Sequence, residues 1–307
     1  MDNSLRIMKP MLIQCIATLA LLLVAHPTWS AEPHQIAFER GTDVWVANLD
    51  GSGAKKIARG SQPSSSFDGA RIAFNTDESS KEVVRHIAVA DVATQKVTVF
   101  KKEIPSHNCQ HAVLSPDGSQ IVFSLFSGSD WDLGLINADG SDFRYLKKIP
   151  REGSSLWSVC WAPDGKSIYA QDLNKIVQLG LDGSELRTWS LRSLFPDGGL
   201  SSGSQMSVSP DGKTLVVDVE MESEEANRDD WDGPPPGIWT VDLASEKVTR
   251  LTPKGFFGWS PVWLSNDEIL FVSQRAKEKQ SSLYQMSADG QNRKQLIKNA
   301  DRPSASR

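Results

Sequence analysis

Cysteine is almost missing from this chain, with three in 307 residues: Cys15, Cys109 and Cys160. That count excludes a disulfide-built scaffold, and a chain this long can stand on its apolar core. There is no basic excess either, since 33 Lys and Arg face 38 Asp and Glu for a net charge of −5. Nucleic-acid binding rewards clustered Lys and Arg, so that class of partner is excluded. Histidine is sparse, with five residues. Only one long apolar run occurs, Met11–Ala25, interrupted by Gln14 and Cys15. A membrane-spanning helix needs about 20 apolar residues, so no span is expected in the mature chain.

The apolar run follows a basic start, Arg6 and Lys9, and leads into the small and polar exit His26–Ala31. Residues 1–30 read as a secretory signal peptide cleaved after Ser30. Cys15 lies inside the run without the small neighbours of a lipoprotein cleavage site. Residues 31–307 form a single domain, expected to be periplasmic or secreted and monomeric. Removing the leader takes away Asp2, Arg6 and Lys9, which makes the net charge one unit more negative.

What the chain has in plenty is one phrase. "LSPDGSQIVFS", "WAPDGKSIYA" and "VSPDGKTLVV" repeat it, and "SSFDGARIAF" and "LSNDEILFVS" are worn copies. Asp-Gly between two β-rich runs marks a hairpin, because a tight turn needs residues that tolerate positive φ. The turn positions Asp68, Asp117, Asp164, Asp211 and Asn266 lie 49, 47, 47 and 55 residues apart. A second turn alternates with the first in six copies, from "VWVANLDGSGAKKI" to "LYQMSADGQNRKQL". A four-stranded repeat of roughly 46 residues is a β-propeller blade. The expected fold is all-β: a six-bladed propeller of four-stranded antiparallel blades.

Five first turns against six second turns leave one innermost strand missing. "DRPSASR" at the C-terminus matches "SQPSSSF" at the start of the second blade. Pro303–Ser306 is therefore expected to complete blade one, whose other strands are "IAFER", "DVWVANL" and "AKKIA". Such closure removes open sheet edges and ties both termini down.

The S-P-D-G, I-x-F and D-G spacing resembles the TolB-type propeller, over about Gln35–Arg307. The resemblance implies the fold. It also implies a further α/β domain ahead of the propeller, for which this chain has no room. The same blades serve binding proteins, lyases and peptidase lids, so fold does not carry function.

Both D-G turns of a blade fall on one face of the disc, and the connectors and central-hairpin loops on the other. The turn face is uniform and the connector face varied, and loops on a rigid scaffold carry binding residues. Aligned on the turn, residues four before it are Ser64, Val113, Cys160, Ser207 and Val262, expected to face the axis. Residues three and five before, such as Ala112, Leu114, Val159, Trp161, Met206, Val208 and Trp263, are expected to pack between blades. Six before, at the channel mouth, stand Gln62, His111, Ser158, Gln205, Ser260 and, from the C-terminus, Arg302. This polar ring is the candidate binding site, set against a water-filled lip. Trp131 and Trp231, on connector-face loops, are candidate aromatic anchors.

Chemistry is thinly represented. His107, Gln110 and His111 resemble the His/Gln divalent-metal site of propeller oligogalacturonate lyases, with His86 on the same face of the neighbouring blade. The acidic loop Glu220–Gly237 lacks a spaced calcium pattern and reads as a solvated flap. "GLSSG" at 199–203 lies in a blade connector and not at a strand-to-helix elbow. Cys109 and Cys160 stand eight and four residues before their turns, roughly 13 Å apart along the axis. Two free thiols are expected, because a disulfide needs Cα atoms within about 7 Å. The expected function is an exported, non-catalytic binding or scaffold propeller for an envelope protein or glycan, without a cofactor. The alternative is a metal-assisted polysaccharide lyase or hydrolase.

Overall fold

The computed structural model describes residues 35–78, 83–148, 155–225, 233–275 and 278–306. The leader and Trp231 lie outside the described residues. Six antiparallel sheets run in chain order as blades. Blade one combines Ile36–Arg40, Asp43–Ala47 and Lys55–Arg59 with the C-terminal strand Asp301–Ala305. Its innermost strand pairs Ala305 with Ile36 and Ser304 with Ala37. The ring is thus closed by the chain's tail, in a strand that starts two residues before the expected Pro303.

The repeated phrase is a self-contained hydrogen-bond device. In blade two Ser66 Oγ donates to Asp68 Oδ1 at 2.6 Å and accepts from the Arg71 N–H at 3.0 Å. Asp68 Oδ1 also takes the Ala70 N–H at 2.9 Å, while Gly69 supplies φ +67°. Blades three and five repeat it through Ser115 with Asp117 and Ser209 with Asp211. In blade four Ala162 replaces the serine, yet Asp164 still accepts the Lys166 N–H. Each phrase ends one strand and starts the next with hydrogen bonds of its own, which is why it recurs.

The hydrophobic core is six cores, one in each gap between blades. Ala112 and Leu114 pack with Ala73 and Ile87 of blade two. Val159 and Trp161 pack on Val122 and Leu133 of blade three, and Met206 and Val208 on Cys160 and Tyr169 of blade four. Trp263 meets Val216 and Ile238 of blade five. Blade six closes on blade one, with Leu264 and Leu270 beside Ile36, Phe38 and Ala305. Ala37 and Val44 then meet Ile72 and Phe74. Ala112, Leu114, Val159, Trp161, Met206, Val208 and Trp263 are the alternate-face residues of the turn alignment. Cys160, expected to face the axis, also joins a core. Each gap excludes water from both sheets it joins.

Blade five departs from the plan. Its inner strand is split, with Gly198–Gly199 and Met206–Val208 both pairing to Thr214–Met221. The connector before it carries a one-turn helix, Leu191–Leu194, whose Leu191 and Leu194 are buried. This connector spends its length packing onto the blade. Among the described residues, no helix is long and apolar enough to cross a membrane.

Candidate functional site

Along the axis the inner strands leave a channel. A cavity of about 140 Å³ is lined by Ser64, Val113, Cys160, Ser207 and Val262, the positions read as axis-facing, and by Ser304 of the closing strand. Above it, at the connector face, lies a smaller cavity of about 60 Å³. Gln62, His111, Gln205, Ser260 and Arg302 line it together. Ser158, the sixth ring position, does not border it; its Oγ instead accepts Gln171 Nε2 at 3.3 Å.

What brings the ring together is a bulge repeated around the disc. Inner-strand pairing shifts register between Ser61 and Ser64, Gln110 and Val113, Trp157 and Cys160, and Trp259 and Val262. In blade one the shift falls between Ala37 and Glu39. The extra residue of each bulge is left-handed: Gln62 at φ 54°, His111 at 54°, Ser158 at 56°, Ser260 at 48° and Arg302 at 45°. None is glycine, so each holds a conformation costing about 1 kcal/mol or more. Bulges re-aim side chains. Blade five reaches the same radius with Gln205 by splitting its strand.

At Gln62, His111 and Ser260 the backbone N–H of the left-handed residue is taken by a side chain of the preceding blade. Glu39 of blade one accepts the Gln62 N–H, and Gln62 Oε1 accepts the His111 N–H at 2.9 Å. Across the ring Asp218 Oδ1 accepts both the Gln205 N–H at 2.9 Å and the Ser260 N–H at 3.1 Å. Arg302 keeps its own N–H on Asp301 Oδ1 at 2.8 Å. The Trp259 indole also donates to Asp301, at 3.1 Å. Sequence reasoning passed over Glu39, Asp218 and Asp301. For Glu39 and Asp218 the signal was a carboxylate within a strand that is mostly apolar, IAFER and TLVVDVEM; Asp301, in DRPSA, carried none.

The ring's electrostatics follow from burial. His111 is 6% exposed, and burial first, then the charges of Arg302 and Arg85, push its pKa down to about 3. It is a neutral imidazole. Burial raises Glu39, against Arg302, whose Nε stands 3.6 Å from Oε1. Burial also lifts Asp218 to about 7. Three buried polar atoms of the ring have no hydrogen-bond partner in the protein: His111 Nδ1, Gln205 Nε2 and Arg302 Nη1.

The metal reading's residues go separate ways. His107 is exposed, and its carbonyl accepts the Arg85 N–H at 2.8 Å. Gln110 pairs in register with Ser124, while the bulge turns His111 to the channel. His86 is buried, which lowers its pKa, with Nε2 3.8 Å from Glu78. Among the described residues, no group of three His, Cys, Asp or Glu side chains gathers to hold a metal. Cys109 and Cys160 are buried free thiols pushed up to about 12 by burial, so neither is a nucleophile. Trp131 is half-buried at the start of a strand, its ring 5.5 Å from that of Phe126. At the base of the acidic loop, Glu224 is buried and ion-paired with Arg250.

A family model described as "TolB beta propeller domain" matches residues 38–306. No curated protein matches the chain by sequence. Among solved structures, TolB from Acinetobacter baumannii is 16% identical, with a TM-score of 0.65 over 89% of this chain and 66% of that one. A putative TolB from Agrobacterium tumefaciens is 18% identical, with a TM-score of 0.60 over 87% of this chain and 90% of that one. A chain of a nidogen/laminin complex is 11% identical, with a TM-score of 0.63 over 89% of this chain and 98% of that one. An oligogalacturonate lyase from Vibrio parahaemolyticus is 14% identical, with a TM-score of 0.51 over 83% and 74%. At these identities the likeness is one of fold.

Proposed function

Because the chain belongs to the TolB β-propeller family, we propose that it is an exported envelope protein that receives a protein partner on its connector face. The observation that carries this reading is the mouth cavity that five blades build together, lined by His111, Gln205 and Arg302, each of which has a buried polar atom without a partner. Unpaired buried polar groups are costly, and a partner that bonds them recovers that cost. Similar structures include TolB proteins and a chain of a nidogen/laminin complex, in keeping with a propeller used for binding. Trp131, at the start of a blade-three strand beside Phe126, is a second candidate contact. A metal-assisted reaction at His111 finds less support, because Arg302 and Arg85 already oppose positive charge there.

Photo-crosslinking tests the reading. A photoreactive residue in place of Trp131 or Lys279 samples the connector face; one in place of Asp182 or Asp289 samples the turn face. In envelope extract, adducts are expected from the first pair alone. Equal adducts from both faces, or adducts from the turn face only, would overturn the proposal. Release of unsaturated sugar from uronic-acid polysaccharide by the purified protein would move the reading to the lyase alternative.

A further inference from the structure

The mouth cavity has a definite chemistry. Arg302 spends Nε on Glu39 and holds Nη1 buried without a partner. Gln205 has its backbone N–H on Asp218, while its side-chain Nε2, a donor, is unpartnered and buried. His111 is more than nine-tenths buried, neutral, and has Nδ1 unpartnered. Two of these atoms can only donate, and Nδ1 donates in one tautomer. Of the charged groups facing His111, Arg302 and Arg85 are positive. Arg85 is itself 3.3 Å from Asp77, and Glu39 is occupied by Arg302 and the Gln62 N–H. Asp218 turns Oδ1 to two backbone N–H groups. The unpaired capacity of the mouth is therefore a set of donors, one of them on the guanidinium that Glu39 engages through Nε.

Size narrows the class further. The mouth offers about 60 Å³ and shares Ser64, Val113 and Gln205 with the 140 Å³ cavity below it, a narrow entry suited to a small planar group. A carboxylate is planar, has two acceptor oxygens and matches a guanidinium bidentately. Resting on the binding role proposed above, we infer that the mouth is a carboxylate pocket that takes an acidic side chain or the C-terminal carboxylate of a polypeptide partner. Arg302 faces the carboxylate as the fixed charge, Gln205 Nε2 donates to one oxygen, and the Nδ1–H tautomer of His111 donates to the other.

Acetate, with acetamide as the neutral control, probes the pocket in the purified protein by NMR of the His111 ring. Saturable shifts with acetate and none with acetamide are expected, together with a rise in the His111 pKa as the bound anion offsets Arg302. Arg302→Gln should weaken acetate at least tenfold, since hydrogen bonds to charged groups are the strong ones. Gln205→Leu should weaken it several-fold with an unchanged melting curve, which keeps the test open if the first variant folds poorly. The capped peptides Ac-Gly-Glu-Gly-NH2 and Ac-Gly-Gly-Gly-OH then separate a side-chain source from a terminal one, the tighter naming the source. Galacturonate binding as tightly as either peptide would overturn the polypeptide assignment. No acetate response, or a response that survives both variants, would overturn the pocket. Connector-face crosslinks that persist alongside such a failure would leave the binding role standing, and their loss would remove that too.

Discussion

Gln62 and His111 are 49 residues apart in sequence, yet the side-chain carbonyl of the first accepts the backbone N–H of the second at 2.9 Å. Glu39 does the same for Gln62. A chain of acceptors thus runs from blade one through blade two to blade three, and each link stabilises the left-handed residue of the next. Gln62→Leu removes the acceptor and leaves the His111 N–H buried without one. A loss of about 1–3 kcal/mol is expected in chemical denaturation. Gln62→Glu, which keeps an acceptor oxygen, should lose less. Equal losses in the two variants would show that the bond carries nothing.

Closure of the ring rests on Ser304 and its neighbours. Ser304 Oγ accepts the Ser65 N–H at 3.0 Å, and Ser306 Oγ accepts the Gln35 N–H at 3.0 Å. Ala305 is buried with Ile36 and Phe38. Deleting residues 302–307 bares an inner strand edge and removes Ala305 from the core between blades six and one. The melting temperature should fall by about 10 °C or more, since each 1 kcal/mol shifts a domain of this size by about 2–4 °C. An unchanged melt would mean the strand is ornamental.

Asp218 makes stability depend on pH. Its folded pKa of about 7 stands above the ordinary 3.8 because the carboxyl is buried. The folded state therefore binds more protons than the unfolded state between those values. This group's contribution is full below pH 4, falls as pH rises through 7, and is flat beyond. Asp218→Asn keeps an acceptor oxygen for Gln205 and Ser260 without the charge. The variant should lack that decline and be more stable than the parent at pH 8, by on the order of a few kcal/mol. Denaturant midpoints across pH 4–8 check this; parallel curves for the two proteins would refute it.

Ser260 tests the cost of the bulge, since it sits at φ 48° with its N–H held by Asp218. Ser260→Val places a β-branched side chain in a left-handed conformation and should cost about 1–3 kcal/mol. Ser260→Gly removes the steric strain and should stay within about 1 kcal/mol of the parent, because glycine's larger unfolded-state entropy offsets the relief. If valine is tolerated as well as glycine, the bulge is not strained.

Glu224 anchors the acidic loop to blade five. Its carboxylate pairs with Arg250 and accepts the Gly255 N–H at 3.3 Å. Glu224→Ala leaves a guanidinium that is mostly buried without its partner. A loss of about 3 kcal/mol is expected, with earlier proteolysis of the loop. Limited digestion followed by mass spectrometry reads both effects.

Blade number, ring closure and the alternation of faces were legible in the residues because their chemistry is local. Ser66, Asp68 and Gly69 complete their turn within six residues, so its recurrence counts the blades. Ala112 and Leu114 face a neighbouring blade through a period of two that any strand obeys. The ring positions could be listed from the same alignment. Their left-handed bulges could not, because Gln62, His111 and Arg302 carry no mark of positive φ. The conformation is imposed by acceptors on other strands, Glu39, Gln62 and Asp218, and by the convergence of inner strands on one axis. Only that convergence removes Ser158 from the mouth, splits the inner strand of blade five, and buries His111 until it is neutral. A repeat determines its own turn from within; what a shared channel presents depends on groups that meet only when the last strand closes the first blade.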